Sequence, residues 1–191
     1  MAKRKIAKRT SGKRVTQGSL LTSNERSRIK SIGEPIALLL GRIGFSPDGL
    51  TLVGFGIVLV ATAQVAIGNW AIAAGILIAG TIFDGLDGTL ARATNRVTAF
   101  GAFFDSSLDR AAEAAIYAGI VYSASVIGNT QMATAAVLAL GIGSLVSYVR
   151  ARGEGLGVSA HGGIAQRAER AVLLILGLLV AGLTGETNYL L

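Results

Sequence analysis

Cysteine is absent from the 191 residues, so the chain forms no disulfide and offers no thiolate as metal ligand or nucleophile. That absence also removes the usual clue to compartment. Charge is scarce: 15% of residues are charged against 51% hydrophobic, and the mean hydropathy is +0.58. This balance excludes an ordinary soluble domain and fits a membrane protein. Proline occurs twice, as Pro35 and Pro47, and aromatic residues make up 6%. The basic runs lack interleaved aromatics and abut apolar stretches, which excludes a nucleic-acid-binding module. Histidine occurs once, as His161 between small residues, and reads as an exposed loop position.

Glycine, by contrast, is abundant at 26 residues, as in membrane helices whose backbones approach closely. The net charge of +7 is unevenly placed. Residues 1–28 are polar and basic, with no apolar run and no small-residue cleavage site close behind, so they read as a cytoplasmic tail rather than a signal peptide. Anionic lipid would hold such a tail at about 1 kcal/mol per Lys or Arg. In residues 29–44, Ile29, Ile32, Ile36, Leu39, Leu40 and Ile43 recur at helical spacing, a stripe too short to span. An interfacial amphipathic helix is predicted there, started or kinked at Pro35.

Ser46-Pro47-Asp48 carries the cap, first-turn proline and first-turn acid of a helix start. Spans are predicted over about 48–67, 70–93, 99–127, 132–152 and 165–183, with Trp70 at the membrane interface. The last residues, Tyr189 to Leu191, read as the opening of a sixth span. The expected fold is an all-α six-helix transmembrane bundle, five spans being complete, preceded by the interfacial helix; residues 29–191 form the membrane domain. The turns at 68–70, 128–131 and 185–188 hold no Lys or Arg. The tail, the 92–96 turn and a basic, Gly-rich connection over 150–170 hold nearly all of them, so these are expected on the cytoplasmic side of the cell membrane.

Four carboxylates stand on that side, in two pairs: Asp84 with Asp87, and Asp105 with Asp109. The i,i+3 and i,i+4 spacings place each pair on one helix face, and an antiparallel hairpin brings the pairs together. The flanking residues 71–83 and 114–127 carry no charge, and ionised groups beside membrane-grade sequence mark a functional site. Four acids in a small volume require cations, and all-oxygen ligation suits Mg²⁺, Mn²⁺ or Ca²⁺ rather than zinc. Two divalent ions balance the charge, and paired ions suit phosphoryl chemistry. Gly88, Gly101 and the small Ala91 leave room for a nucleotide, and Arg92 can bind phosphate or pair with an acid. Solvated acids paired with Arg92, Arg96 and Arg110 are the bland alternative, and a divalent cation channel or transporter is the rival of another class.

The stretch resembles the signature of the CDP-alcohol phosphotransferase family, D-x-x-D-G-x-x-A-R-x8-G-x-x-x-D-x-x-x-D. All eight fixed positions are filled: Asp84, Asp87, Gly88, Ala91, Arg92, Gly101, Asp105 and Asp109. The resemblance implies two Mg²⁺ ions, or Mn²⁺, on Asp84, Asp87, Asp105 and Asp109, with Asp109 as general base. It implies a CDP-linked donor contacted by Gly88, Ala91, Arg92, Thr98 and Gly101, with Asp48, Gly49, Leu50 and Thr51 at the neighbouring helix start. The segments Val146 to Glu154 and Gly162 to Arg170 are similar to those of actinobacterial phosphatidylinositol-phosphate synthases, although Ala168 stands where close members often have proline. That similarity implies CDP-diacylglycerol as donor and inositol 1-phosphate as acceptor, its phosphate held by Ser147, Arg150, Arg152, Arg167 and Arg170. Glycerol 3-phosphate and free inositol are the alternative acceptors. Glu113, one turn after Asp109, is expected to pair with Arg110 or another helix, or else to reach the metal shell. Small residues on several helices point to a homodimer in the membrane.

Overall fold

A computed structural model describes residues 23–158 and 167–185, with backbone alone for 23–32. The described residues form six helices and no strand: α1 (Ser23–Arg42), α2 (Pro47–Ala66), α3 (Trp70–Ala93), α4 (Ala99–Val126), α5 (Thr130–Gly155) and α6 (Arg167–Thr184). His161, the Gly162-Gly163 pair and the expected start of a sixth span lie outside the described residues.

The sequence signals place most boundaries. Ser46 Oγ accepts the Gly49 N–H at 3.0 Å and caps α2, with Pro47 in its first turn. Thr98 does the same for α4 through the Gly101 N–H at 2.9 Å. The turns after α2 and α4 close on Gly68 and Gly128, at φ +85° and +71°, where a side chain would be strained. Two boundaries differ from expectation. α1 begins at Ser23 and runs through Pro35, so the proline does not start it and part of the expected tail is helical. α5 runs on to Gly155, three residues past the expected end, and Arg150, Arg152, Arg167 and Arg170 stand on helix ends as expected. Asn129 Oδ1 sets the early start of α5 by accepting the Met132 N–H at 3.0 Å.

α2, α3 and α5 are long and apolar enough to cross a membrane. α4 has the length, but its first half carries Asp105, Asp109, Arg110 and Glu113; α6 opens with Arg167, Glu169 and Arg170. These charges, rather than a lack of helix, set the two apart from ordinary spans. The helices pack as α2 with α3 and α4, α3 with α6, and α4 with α5, while α1 lies against α3. The main core joins Val65, Leu77, Ile116, Ile120, Met132 and Leu178. Trp70 belongs to it: it is buried, and its indole N–H donates to the Val65 carbonyl at 3.1 Å. Close approach relies on missing side chains. A Cβ on Gly119 would stand 2.9 Å from the Thr62 carbonyl oxygen, and one on Gly182 would overlap the Ala71 backbone.

α1 covers a smaller core of Ala37, Leu50, Leu86 and Leu90. Of its expected apolar stripe, Leu40 packs on that core while Ile36 and Leu39 are exposed, as on an interfacial helix with one face toward lipid. Leu52, Val60, Ile72, Ile78, Leu138 and Ile142 on the long helices are exposed as well. Helices α2 to α6 are thus apolar outside and carry their charged residues toward one end, where α2, α4 and α6 begin and α3 and α5 finish.

Candidate active site at the polar end of the bundle

Asp105 and Asp109 stand one turn apart on α4, and Asp84 faces them from α3. One carboxylate oxygen from each lies within 4.8 Å of the others. Asp87 does not join that group. It is buried at 6% exposure, accepts the Thr51 hydroxyl at 2.7 Å and takes the Gly88 N–H on its other oxygen. The reason is geometric: α2 packs on α3 and presents a hydroxyl to the inner side of Asp87, while Asp84, nearly a turn earlier, looks toward α4. Thr51→Val would leave this buried carboxylate short of a donor, at a cost of about 1–3 kcal/mol. A lowered thermal midpoint in detergent, with Thr51→Ser close to wild type, is the expected result.

Arg167, expected at the acceptor phosphate, here bridges two of the acids: its guanidinium lies 2.9 Å from Asp84 and 2.5 Å from Asp109. The acids thus draw in a cation from α6, which is what three crowded carboxylates demand. Hard oxygen donors at this spacing fit a divalent ion of the magnesium or manganese kind, with Asp84, Asp105 and Asp109 as its holders.

Arg170, one turn on, pairs instead with Glu113 of α4: Nε and Nη2 lie 3.1 and 3.0 Å from Glu113 Oε1. Glu113 Oε2 accepts Arg110 Nη1 at 2.6 Å, and the same nitrogen donates to Ser147 Oγ at 2.5 Å. Ser147 in turn donates to the Gly143 carbonyl at 3.0 Å. Ser147 and Arg170 are therefore joined through Arg110 and Glu113, and Glu113 pairs both with Arg110 and with another helix, as expected of it. Charged side chains on an otherwise apolar helix were the available signal for Arg110 and Glu113. Arg150 is not drawn in: it pairs with Glu154 at 3.4 Å, both side chains about half exposed, and Arg152 is also exposed.

A cavity of about 340 Å³ connects these groups. Asp84, Asp109, Glu113, Arg167 and Arg170 line its polar part, and Phe55, Val58, Leu77, Ile116, Leu174 and Ile175 its apolar part. The residues expected around a donor lie at the same end. A Cβ on Gly101 would stand 3.1 Å from Thr98 Oγ1 and 3.3 Å from Asp48 Oδ1, so the starts of α2 and α4 meet there. Two helix N-termini side by side favour an anionic group. Arg92 lies over Gly88, where a Cβ would come within 3.2 Å of its Nη1. Gly49 and Ala91 are partly exposed nearby. Leu50 is a correction: its side chain is fully buried in the small core under α1 and packs rather than facing a ligand.

Comparison with known proteins shows the family and the fold. The family model for CDP-alcohol phosphatidyltransferases matches residues 45–189. The archaetidylinositol phosphate synthase of Methanothermobacter thermautotrophicus is 42% identical over 80% of this chain and 74% of its own. The phosphatidylinositol phosphate synthase of Mycobacteroides abscessus is 34% identical over 82% of this chain and 72% of its own. Among solved structures, the phosphatidylinositol phosphate synthase of Mycobacterium tuberculosis with CDP-DAG bound superposes with a TM-score of 0.75 at 29% identity, covering 79% of this chain and 77% of that one. The same enzyme in complex with manganese and citrate also gives a TM-score of 0.75, at 28% identity over 78% and 73% of the two chains.

Proposed function

This chain belongs to the CDP-alcohol phosphatidyltransferase family of membrane enzymes, and from that premise we propose that it moves a phosphatidyl group from CDP-diacylglycerol to inositol 1-phosphate, releasing CMP. The observation that carries the proposal is one cavity lined by Asp84 and Asp109 of the acid group and by Arg167 and Arg170. The names of the relatives support the acceptor, since both kinds of synthase carry an inositol phosphate head on different lipids. CDP-DAG in the mycobacterial structure supports the donor.

In the proposed reaction the start of α2, Gly88, Arg92 and the start of α4 receive the CDP part. Asp109 accepts the proton of the acceptor hydroxyl, whose oxygen attacks the β-phosphorus. The new P–O bond forms as the P–O bond to CMP breaks, and CMP leaves with the electron pair. Bound divalent ions, two in this proposal, supply charge neutralisation for the acids and for the phosphate oxygens. Asp84, Asp87, Asp105 and Asp109 are the proposed ligand set, in which Asp87 must exchange its Thr51 bond for the ion. Manganese in the relative's structure supports divalent use. Arg167 then exchanges Asp84 and Asp109 for phosphate oxygens, a guanidinium fork suiting either anion. The polar end of the bundle faces the cytoplasm in this reading, and residues 29–191 form the membrane domain, assembled as a homodimer.

Labelled inositol 1-phosphate, CDP-diacylglycerol and Mg²⁺ with the purified protein in liposomes are expected to give a lipid product and CMP in equal amounts. Chelation is expected to reduce product to background and added Mn²⁺ or Mg²⁺ to restore it. A product formed only from glycerol 3-phosphate or free inositol would replace the acceptor, and cation flux without CMP release would replace the reaction.

A further inference from the structure

The Arg110–Glu113–Arg170 group stands beside the acids and has no part in the phosphoryl chemistry described above. It ties three helices: Arg110 and Glu113 on α4, Ser147 on α5, Arg170 on α6. Glu113 and Arg170 are each only 14% exposed at the side chain, and both line the cavity. Two guanidiniums this close repel unless an anion lies between them. Glu113 is that anion, giving one oxygen to each arginine. Of the three, Glu113 and Arg170 stand at the cavity wall, with Arg110 behind them. The backbone leaves room for the group: a Cβ on Gly143 would lie 3.0 Å from Glu113 Oε1 and 3.1 Å from Arg170 Nε.

We infer that Glu113 is the positioning residue of the acceptor half of the site, a carboxylate clamp that aims Arg170 at the phosphate of a phosphorylated acceptor alcohol and is itself anchored by Arg110 and, behind it, Ser147. The inference rests on the reading that the acceptor carries a phosphate. A clamp of this kind sets specificity rather than chemistry. Lost orientation weakens capture of the acceptor phosphate, while the donor, held at the starts of α2 and α4, is unaffected.

Steady-state kinetics of the full chain in liposomes test this with Glu113→Gln and Gly143→Ala. Glu113→Gln removes the charge that holds both arginines, and KM for inositol 1-phosphate is expected to rise about ten- to a hundredfold. KM for CDP-diacylglycerol is expected to stay within about twofold, with kcat changed far less than the acceptor KM. Gly143→Ala keeps every charge and pushes a methyl against flexible side-chain ends, so it folds and shifts the acceptor KM in the same direction. It carries the test if Glu113→Gln does not fold. Equal movement of both KM values, or a fall in kcat alone, overturns the clamp. A wild-type protein that uses only glycerol 3-phosphate overturns the inositol reading, and the same KM split for that acceptor still supports the clamp. Use of free inositol alone overturns both.

Discussion

Asp109→Asn is expected to lower turnover about 10²- to 10⁴-fold, the usual worth of a positioned general base. Asn matches Asp in size and keeps an oxygen that can accept from Arg167, so the link between α4 and α6 survives. It loses the charge that complements a cation and the ability to take a proton from the attacking hydroxyl. The side chain is only 14% exposed, so bulk water is poorly placed to substitute. The measurement is the rate of CMP release at saturating donor and acceptor, with thermal unfolding in detergent as the check on fold. Turnover within about tenfold of wild type would remove Asp109 from the chemistry. Ser107→Ala on the same helix is the control, since this exposed hydroxyl bonds only back to the Phe103 carbonyl among the contacts seen, and it is expected to stay near wild type.

Gly182→Val is expected to be the most damaging substitution distant from the site. Gly182 lies near the end of α6 opposite the charged residues, and even a Cβ there overlaps the Ala71 backbone of α3. A backbone cannot swing aside as a side chain does, so the helices must separate, at a cost of about 1–3 kcal/mol or more. Arg167 and Arg170 travel with α6. Both their pairs to α3 and α4 are then disturbed, and activity is expected to fall together with the thermal midpoint. Gly182→Ser, which adds less bulk, is expected to lie between the two. A valine variant with wild-type stability would mean that α3 and α6 are less tightly packed than described.

Helix positions were legible because their signals are local. Ser46 and Thr98 cap the helices they precede, and the lysine- and arginine-free turns at Gly68 and Gly128 fall between helices. α1 was cut short at its start because residues 23–28 are polar and basic and add nothing to the apolar stripe, and the helix also continues through Pro35. That the Trp70 indole donates to the Val65 carbonyl was not legible, because its neighbours in space are not visible in the chain. Of the four motif acids, spacing alone put all on facing helix sides. The structure gathers Asp84, Asp105 and Asp109, and gives Asp87 to Thr51. No spacing rule contains that result, because the hydroxyl comes from a helix more than thirty residues earlier.

The sequence by itself determined the class of protein, the helical framework, the family and the stretch that carries its acids. Composition, periodicity and motif spacing are properties of neighbours along the chain. Only the tertiary structure decided which charges meet: Arg167 with Asp84 and Asp109, Arg170 and Arg110 on one Glu113, Arg150 left at the surface. Six arginines and seven acids on α3 to α6 allow many pairings of similar local merit. The choice among them falls to helix packing, which fixes which few come within hydrogen-bonding distance inside an apolar shell, where a charge left unpaired would be costly.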